Sequence, residues 1–229
     1  MRPATVDTPK WLLPVAGRPF AEWQLRWLAG QGVISVVAAI GHLGDQIRVA
    51  VGDGRRFGVR VDYSPDGSEL VGTGGAVRLA VDRGLLDDRF LVLYGDSYLS
   101  VDVAAVWAAF DRADRPALMT VYENAGRFDT SNVAFDDGVV VRYTKHPSAG
   151  GEPAVPLRHI DYGLSVLDRS VADLVPAGAV VDLADVFEAL AASGRLAGFE
   201  AHDRFYEIGS PDGLRDLERH LSAASPGGS

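Results

Sequence analysis

Short apolar runs alternate with longer amphipathic segments along most of this chain. Apolar residues recur at helical spacing over Phe20–Ala29, and glycines 30 and 32 end that segment. The run Val33–Ile40 is continuous and rich in β-branched residues, which is typical of a strand buried on both faces. Val59–Tyr63 and Phe90–Tyr94 are predicted as further strands, and the segment VAAVWAAFDRA after the latter as a helix. This alternation predicts βαβ units in an α/β fold, with a mostly parallel sheet and helices on both faces.

The second half of the chain departs from simple alternation. Val133–Phe135 and Val139–Tyr143 flank the letters DDG, which is a hairpin signal, and both Ala117–Val121 and Ile160–Leu167 are typical strand patterns. Helical patterns return at the end of the chain, over Leu183–Ala192 and Pro211–Leu221. We predict a single domain over residues 1–221 and a disordered tail over 222–229.

Composition and charge exclude several classes of function. The 229-residue chain carries a formal net charge of −9, which argues against a nucleic-acid-binding surface. The sequence contains no cysteine, and this excludes disulfides, thiolate catalysis and cysteine–zinc sites. No apolar run reaches the length of a membrane span. We expect no membrane partner and a cytoplasmic location, while the pattern favours no particular oligomeric state.

Two carboxylates follow strand-like or aromatic segments where a metal ion is commonly held. Asp96 comes directly after the buried run FLVLYG, and ligands of open parallel sheets bind beyond such strand ends. Glu207 precedes a glycine turn and a helix start near Pro211. Carboxylate oxygens suit Mg²⁺, which is a hard cation. The alternatives are that Asp96 caps the next helix or turn, and that Glu207 merely interacts with a helix dipole.

Other candidate residues would contact phosphates or a base. Gly72–Ala76, with the sequence GTGGA, opens a helix with amides unobstructed by side chains, although Thr73 alternatively only caps that helix. Lys10 lies in a proline-braced loop, and Lys145 follows the second hairpin strand. A single lysine is also often just a solvated charge. The order of these weak signals is more specific than any one of them.

The motifs TPKWLLPVAGRPF, GTGGAVRLA, FLVLYGDSYLSVD, YTKHP, HIDYGLSVL and FYEIGSPDGL occur in one sequence. Together they resemble the sugar-1-phosphate nucleotidyltransferases, or NDP-sugar pyrophosphorylases, from Arg2 to about His220. The resemblance implies a Rossmann-like α/β fold of the nucleotide-diphospho-sugar transferase type. It also implies a Mg²⁺-dependent reaction in which a sugar-1-phosphate attacks the α-phosphorus of an NTP. Such a displacement needs positioning and charge neutralisation more than a protein nucleophile.

The resemblance also implies roles for individual residues. Lys10 would bind phosphate oxygens as the catalytic cation, and Asp96 and Glu207 would hold Mg²⁺. The other implied roles are nucleobase contact by Gly72, Thr73, Gly74, Gly75 and Ala76, grip on the sugar phosphate by Lys145, and a sugar pocket lined by Asp161, Tyr162 and Gly163. Many relatives have Asp in place of Glu207 and the letters NAG in place of DYG at 161–163.

Other family members open with a strand and a glycine-rich loop of the type LAGG-x-GTR-[LM]-RP, and here Arg2 and Pro3 match its final RP while Met1 falls on the preceding Leu or Met. The first strand and the front of this loop are therefore expected to be missing, which would impair triphosphate binding and catalysis. Two alternatives stay open: a catalytically dead module that binds a nucleotide or sugar phosphate, and a nucleotidyltransferase acting on a non-sugar phosphate such as phosphocholine. The sequence favours no particular NTP.

Overall fold

A computed structural model describes residues 7–67, 69–124, 126–127, 130–145 and 155–224. Its strands are β1 (Pro14–Val15), β2 (Arg18–Pro19), β3 (Ser35–Ile40), β4 (Arg60–Pro65), β5 (Arg89–Leu93), β6 (Ser97–Tyr98), β7 (Ala117–Glu123), β8 (Val133–Asp136), β9 (Val139–Tyr143), β10 (His159–Asp168), β11 (Leu196–Ala201) and β12 (Tyr206–Glu207). Its α-helices are α1 (Phe20–Gly30), α2 (Gly44–Val51), α3 (Gly72–Asp82), α4 (Val103–Ala113), α5 (Leu183–Ala192) and α6 (Pro211–Ala224). Short 3₁₀-helices cover Lys10–Leu12, Arg55–Phe57 and Arg169–Leu174.

The chain divides into two compact units, each assembled from separate segments. The first unit comprises the described parts of 1–69, 94–100 and 205–229, and the second unit comprises those of 70–93 and 101–204. Arg2 and Pro3 and residues 225–229 of the expected tail lie outside the described residues. No helix in the described ranges combines the length and apolarity that crossing a bilayer requires.

A six-stranded sheet forms the centre of the second unit, in the order β5-β10-β7-β11-β9-β8. Strands β7 and β11 run parallel, whereas β10 runs antiparallel to both β5 and β7, and β9 runs antiparallel to β8 and β11. The predicted α/β class is confirmed, but the expectation of a mostly parallel sheet is wrong for the described ladders. The reason is that β10 enters between β5 and β7 in the reverse direction and a hairpin supplies the far edge.

The core of the second unit lies between this sheet and the helices. Met119 of β7 packs with Phe187 of α5, and both side chains are fully buried. Leu118, which points to the opposite face of the same strand, is also fully buried, and α4 packs against β7, β10 and β11. Burial of β7 on both faces explains why Ala117–Tyr122 is apolar except for Thr120, whose buried hydroxyl donates to the Leu164 carbonyl at 2.6 Å.

The first unit has its own, smaller core. Phe20 of α1 and Leu217 of α6 are fully buried in a cluster that also takes in Val15 and Ile208. Strands β3 and β4 form a separate two-stranded parallel sheet. The sequence predicted that Val33–Ile40 is buried on both faces, and this is wrong. Only the face of β3 that carries Ala38 and Ile40 is buried, whereas Ser35 and Ala39 on the other face are exposed, as is Ile34 just before the strand.

Candidate active site

Lys10 and Asp96 are brought together in the first unit. A 3₁₀-helix over Lys10–Leu12 begins after Pro9, and the amide of Leu12 donates to the Pro9 carbonyl at 2.9 Å. This turn fixes the backbone from which Lys10 extends. Lys10 Nζ lies 3.5 Å from Asp96 Oδ2, and both side chains keep a large exposed fraction. An exposed cation beside a partly exposed carboxylate can receive both a phosphate and a metal ion.

Asp96 occupies the turn that follows β5 along the chain. The amide of Ser97 donates to the Tyr94 carbonyl at 3.2 Å, which closes this turn. Asp96 does not cap α4, since that helix is capped by Asp102, whose carboxylate accepts from the amides of Ala104 and Ala105. The alternative reading of Asp96 as a helix cap is therefore excluded.

A short antiparallel ribbon brings Glu207 beside the Asp96 turn. Strands β12 and β6 pair with Glu207 opposite Ser97, and the amide of Ile208 donates to the Asp96 carbonyl at 2.9 Å. At the start of the following helix, α6, the side-chain acceptor is Ser210 and not Glu207: the Ser210 hydroxyl accepts a hydrogen bond from the Gly213 amide at 3.0 Å. Two carboxylates thus lie on adjoining backbone segments of one unit.

The donor set fits Mg²⁺ better than a transition metal. Asp96 and Glu207 offer only oxygen atoms, and Mg²⁺ is usually bound by one or two carboxylates together with substrate phosphates. Within the described residues there is no cluster of three or more His, Cys, Asp or Glu side chains that could hold a metal alone. The two carboxylates therefore suit an ion that reaches the protein with a phosphate ligand.

A second cluster, in the second unit, joins Thr73, Asp182 and Lys145. Thr73 Oγ1 donates to Asp182 Oδ1 at 2.7 Å and accepts from the Leu183 amide at 2.8 Å. Asp182 also caps α5 through the Ala184 amide and forms an ion pair with Lys145. Thr73 makes no side-chain cap on its own helix, α3, so the simple capping alternative for this residue is wrong.

Charges around this cluster shift several pKa values. Hydrogen bonding to Asp182, followed by its charge, raises the pKa of Lys145. Burial alone would raise the pKa of Asp182, but hydrogen bonds from Lys145, Thr73 and the Ala184 amide outweigh it and lower the pKa. The pKa of Tyr143 is raised, first by burial and then by the charges of Asp161 and Asp182. Lys145 therefore stays cationic in the physiological pH range.

The glycines of the GTGGA turn allow close packing against the segment before α5. Gly72 has φ +75°, and a Cβ placed on it would lie 2.4 Å from the Val181 carbonyl oxygen. The amides of Gly74 and Gly75 donate to that same oxygen at 2.9 and 3.2 Å. The sequence suggested that these amides face a ligand, yet two of them are hydrogen-bonded within the protein. Contact between Gly72–Ala76 and a nucleobase stays a prediction.

Asp161, Tyr162 and Gly163 lie at an irregularity in β10. The register with β7 shifts between Asp161 and Ser165, and Gly163 takes φ +101°. Asp161 Oδ1 accepts from the Gly163 amide at 2.9 Å, and the buried ring of Tyr162 stacks on Tyr122 with centroids 6.1 Å apart. Bulges often re-aim side chains beside active sites. The bulge is compatible with the sugar-binding role expected for these residues, which stays a prediction.

Sequence reasoning missed two residues, each of which connects the members of one cluster within its own unit. Asp182 connects Thr73 to Lys145, and an Asp directly before the apolar helix pattern of α5 was a detectable cap signal. Gln24 links the Lys10 and Asp96 segments from inside α1, where its side chain is buried. A polar residue within an amphipathic helix pattern carries no signal of this role, because its partners are distant in sequence.

Comparison with known proteins gives one family match and several relatives. The MobA-like NTP transferase domain matches residues 4–204. N-acetylmuramate alpha-1-phosphate uridylyltransferase from Neisseria meningitidis is 28% identical over 95% of this chain and 91% of its own length. UTP–glucose-1-phosphate uridylyltransferase from Synechocystis is 28% identical over 85% of this chain, which spans only 53% of that relative. The crystal structure of HddC from Yersinia pseudotuberculosis has TM-score 0.75 at 20% identity, covering 96% of this chain and 94% of its own.

Proposed function

Since the chain belongs to the MobA-like NTP transferase domain family, we propose that it transfers a nucleotidyl group from an NTP to a sugar-1-phosphate. A phosphate oxygen of the sugar-1-phosphate forms a bond to the α-phosphorus of the NTP while the bond from that phosphorus to the bridging oxygen breaks. The products are an NDP-sugar and pyrophosphate. The names of the relatives, which include uridylyl- and guanylyltransferases acting on sugar-1-phosphates, support this class of reaction.

The observation that carries the proposal is the proximity of Lys10 to Asp96. Their side chains approach to 3.5 Å although 86 positions separate them in the sequence. Lys10 is proposed to bind oxygens of the triphosphate, which offsets negative charge as pyrophosphate leaves. Asp96 and Glu207 would hold Mg²⁺. When bound, that ion supplies charge neutralisation at the phosphate oxygens.

Within the second unit, Lys145 is proposed to bind the phosphate of the sugar-1-phosphate. Asp182 holds the ammonium group of Lys145 and is itself held by Thr73. Fixing the cation before substrate binds reduces the ordering that binding requires. Asp161 would accept hydrogen bonds from sugar hydroxyls, since a carboxylate is an acceptor only. A cytoplasmic location belongs to the same proposal.

The experiment that tests the function is a substrate panel read by pyrophosphate release. The purified chain is incubated with each common NTP, a set of sugar-1-phosphates, and phosphocholine, with Mg²⁺ or with EDTA. We expect release that depends on both a sugar-1-phosphate and Mg²⁺. Turnover with phosphocholine but with none of the sugar-1-phosphates would mean that the acceptor is a non-sugar phosphate. Nucleotide binding without any turnover would identify a binding module instead.

Asp96→Asn is the decisive variant. Loss of one carboxylate charge should lower turnover at least roughly 100-fold, since even indirect partners of metal ligands change metal affinity by about 10–100-fold. Asp45→Asn is the matched control, because Asp45 is an exposed carboxylate of the first unit in the first turn of α2. Undiminished turnover of Asp96→Asn would refute the assigned metal role.

A further inference from the structure

Gln24 uses every polar atom of its side chain to connect the segments of Lys10 and Asp96. Its side chain lies in α1 and the residue is 3% exposed. Nε2 donates to the carbonyl of Tyr94 at 2.9 Å and to the carbonyl of Ser97 at 2.7 Å, while Oε1 accepts from Trp11 Nε1 at 2.8 Å. A carboxamide has two N–H donors and one carbonyl acceptor, so both ends of the group are engaged.

The two carbonyls bound by Nε2 flank Asp96. Tyr94 and Ser97 are the outer residues of the turn that carries Gly95 and Asp96, and the Ser97 amide closes the turn onto the Tyr94 carbonyl. One amide nitrogen therefore holds both ends of a four-residue turn. The position of the Asp96 backbone depends on this contact and on the Ile208 amide.

The acceptor end of the same carboxamide holds the other segment. Trp11 directly follows Lys10 in the 3₁₀-helix, and its indole nitrogen is bound by Gln24 Oε1. The indole also packs against the core of the first unit. A single rigid amide, whose three hydrogen bonds measure 2.7–2.9 Å, thereby relates the backbone of Lys10 to that of Asp96.

We propose that Gln24 is a positioning residue that fixes the spacing of Lys10 and Asp96 for a divalent cation bound to a polyphosphate. This rests on the proposed function, in which those two side chains serve the same triphosphate. Gln24 touches neither substrate nor metal and acts through the Tyr94–Ser97 turn and through Trp11. Glu lacks the two donors when ionised, and apolar side chains lack all three contacts.

The test separates positioning from stability by measuring metal binding directly. Binding of Mn²⁺ together with inorganic tripolyphosphate is followed by electron paramagnetic resonance, which needs no knowledge of the base or the sugar. Gln24→Met keeps the side-chain length and removes all three hydrogen bonds. We expect its apparent Mn²⁺ dissociation constant to rise about tenfold, the usual size of an indirect effect on a metal site.

Two further variants test the donor end and the acceptor end of the Gln24 carboxamide separately. Gln24→Glu keeps an acceptor for Trp11 and loses the donors to the turn, so it should resemble Gln24→Met. Trp11→Phe keeps an aromatic ring but removes the indole donor, and should weaken Mn²⁺ binding about threefold, the range expected for one hydrogen bond. If the Gln24 variants do not fold, Trp11→Phe still decides the point, because wild-type affinity in that folded variant would overturn the proposal.

Ser64→Ala is the control for a general loss of stability. Ser64 is a buried polar residue of β4 in the same unit, 2% exposed, and has no assigned role in binding. The Ser64→Ala variant should have a lower melting temperature than wild type and an unchanged Mn²⁺ affinity. The proposal is overturned if Gln24→Met binds Mn²⁺ as wild type does, if its loss of affinity is matched by Ser64→Ala, or if the wild type does not bind Mn²⁺ with tripolyphosphate.

The outcome is distinguishable from failure of the proposed function. A wild type that binds Mn²⁺ with tripolyphosphate but releases no pyrophosphate from any NTP and phosphate acceptor contradicts the function alone. In an active enzyme, Gln24→Met should lower kcat and raise the Mg²⁺ concentration needed for half-maximal rate, while the KM for sugar-1-phosphate stays within about twofold. An increase of that KM alone would contradict the positioning role.

Discussion

The hydroxyl of Thr73 donates a 2.7 Å hydrogen bond to the carboxylate of Asp182, more than a hundred residues further along the chain. The same hydroxyl accepts from the Leu183 amide, so the start of α3 is bound to the start of α5 through one side chain. Asp182 extends the connection to Lys145. Asp182 is therefore bonded both to Thr73 in the glycine-rich turn and to Lys145, a candidate phosphate-binding residue.

Thr73→Val should destabilise the protein while keeping the shape of the side chain. Valine removes both hydrogen bonds and leaves the Leu183 amide without this acceptor, which costs about 1–3 kcal/mol of the free energy of unfolding. Thr73→Ser, the control, retains the hydroxyl and should cost less. Urea denaturation of the two variants measures the difference. Equal stabilities would mean that the hydroxyl contributes nothing.

Lys145→Met should act on one substrate only. With the cation gone, we expect the KM for sugar-1-phosphate to rise roughly tenfold or more, because charge-assisted hydrogen bonds to phosphate contribute about 1.5–3 kcal/mol. The KM for the NTP should change little. Arg112→Met, an exposed cation in the last turn of α4, is the control. Steady-state kinetics with each substrate varied in turn would contradict the role if both KM values rose together.

The Lys145–Asp182 pair should stabilise the protein over a defined pH window. The pKa of Asp182 is lowered from 3.8, so its contribution is present above that value and is lost as the pH falls through the lower native pKa. The pKa of Lys145 is raised from 10.5, so its contribution is present below that value and is lost as the pH rises through the higher native pKa.

Asp182→Asn tests this window. The difference in unfolding free energy between wild type and Asp182→Asn should be constant from about pH 5 to 9 and should shrink in acid, once the native carboxylate protonates. Asp185→Asn serves as the control, since Asp185 interacts with Lys145 only through its more distant charge. A difference that grows as the pH falls below 3.8 would contradict the direction of the Asp182 shift.

Gly72→Ala should be much more disruptive than an equivalent change at the other end of the same helix. Gly72 and Gly84 both have positive φ, but a Cβ at Gly72 meets the Val181 carbonyl at 2.4 Å, whereas nothing lies within 4 Å at Gly84. Gly84→Ala should cost about 1–3 kcal/mol for backbone strain alone. Gly72→Ala adds a clash with backbone that must move. Similar melting temperatures for the two variants would contradict this packing.

Local pattern was sufficient for most elements. The predicted hairpin and the helices at Val103–Ala113 and Leu183–Ala192 are confirmed, because each has a strong period and a clear turn or cap. β11 was not predicted, since the sequence of Leu196–Ala201 contains a glycine and two alanines and has weak strand propensity. It forms because β7 and β9 flank it in the sheet, which is a tertiary cause.

The ribbon of β6 and β12, at the candidate active site, also could not be predicted from the local sequence. Each strand is two residues long, too short for any periodicity, and each forms only by pairing with the other. The resemblance of the motifs nevertheless singled out Asp96 and Glu207, which this ribbon brings onto adjoining segments. Their metal-binding role is still a prediction, as are the roles of Lys10, Lys145 and Asp161.

The sequence by itself determined the α/β class, the family and the segments that carry the candidate residues, because these depend on composition, period and short motifs. Only the tertiary structure decided the mixed direction of the central sheet and the hydrogen bonds of Gln24 and Asp182. Strand direction and long-range hydrogen bonds arise between residues far apart in the chain. Their energies depend on burial and geometry that no local stretch encodes.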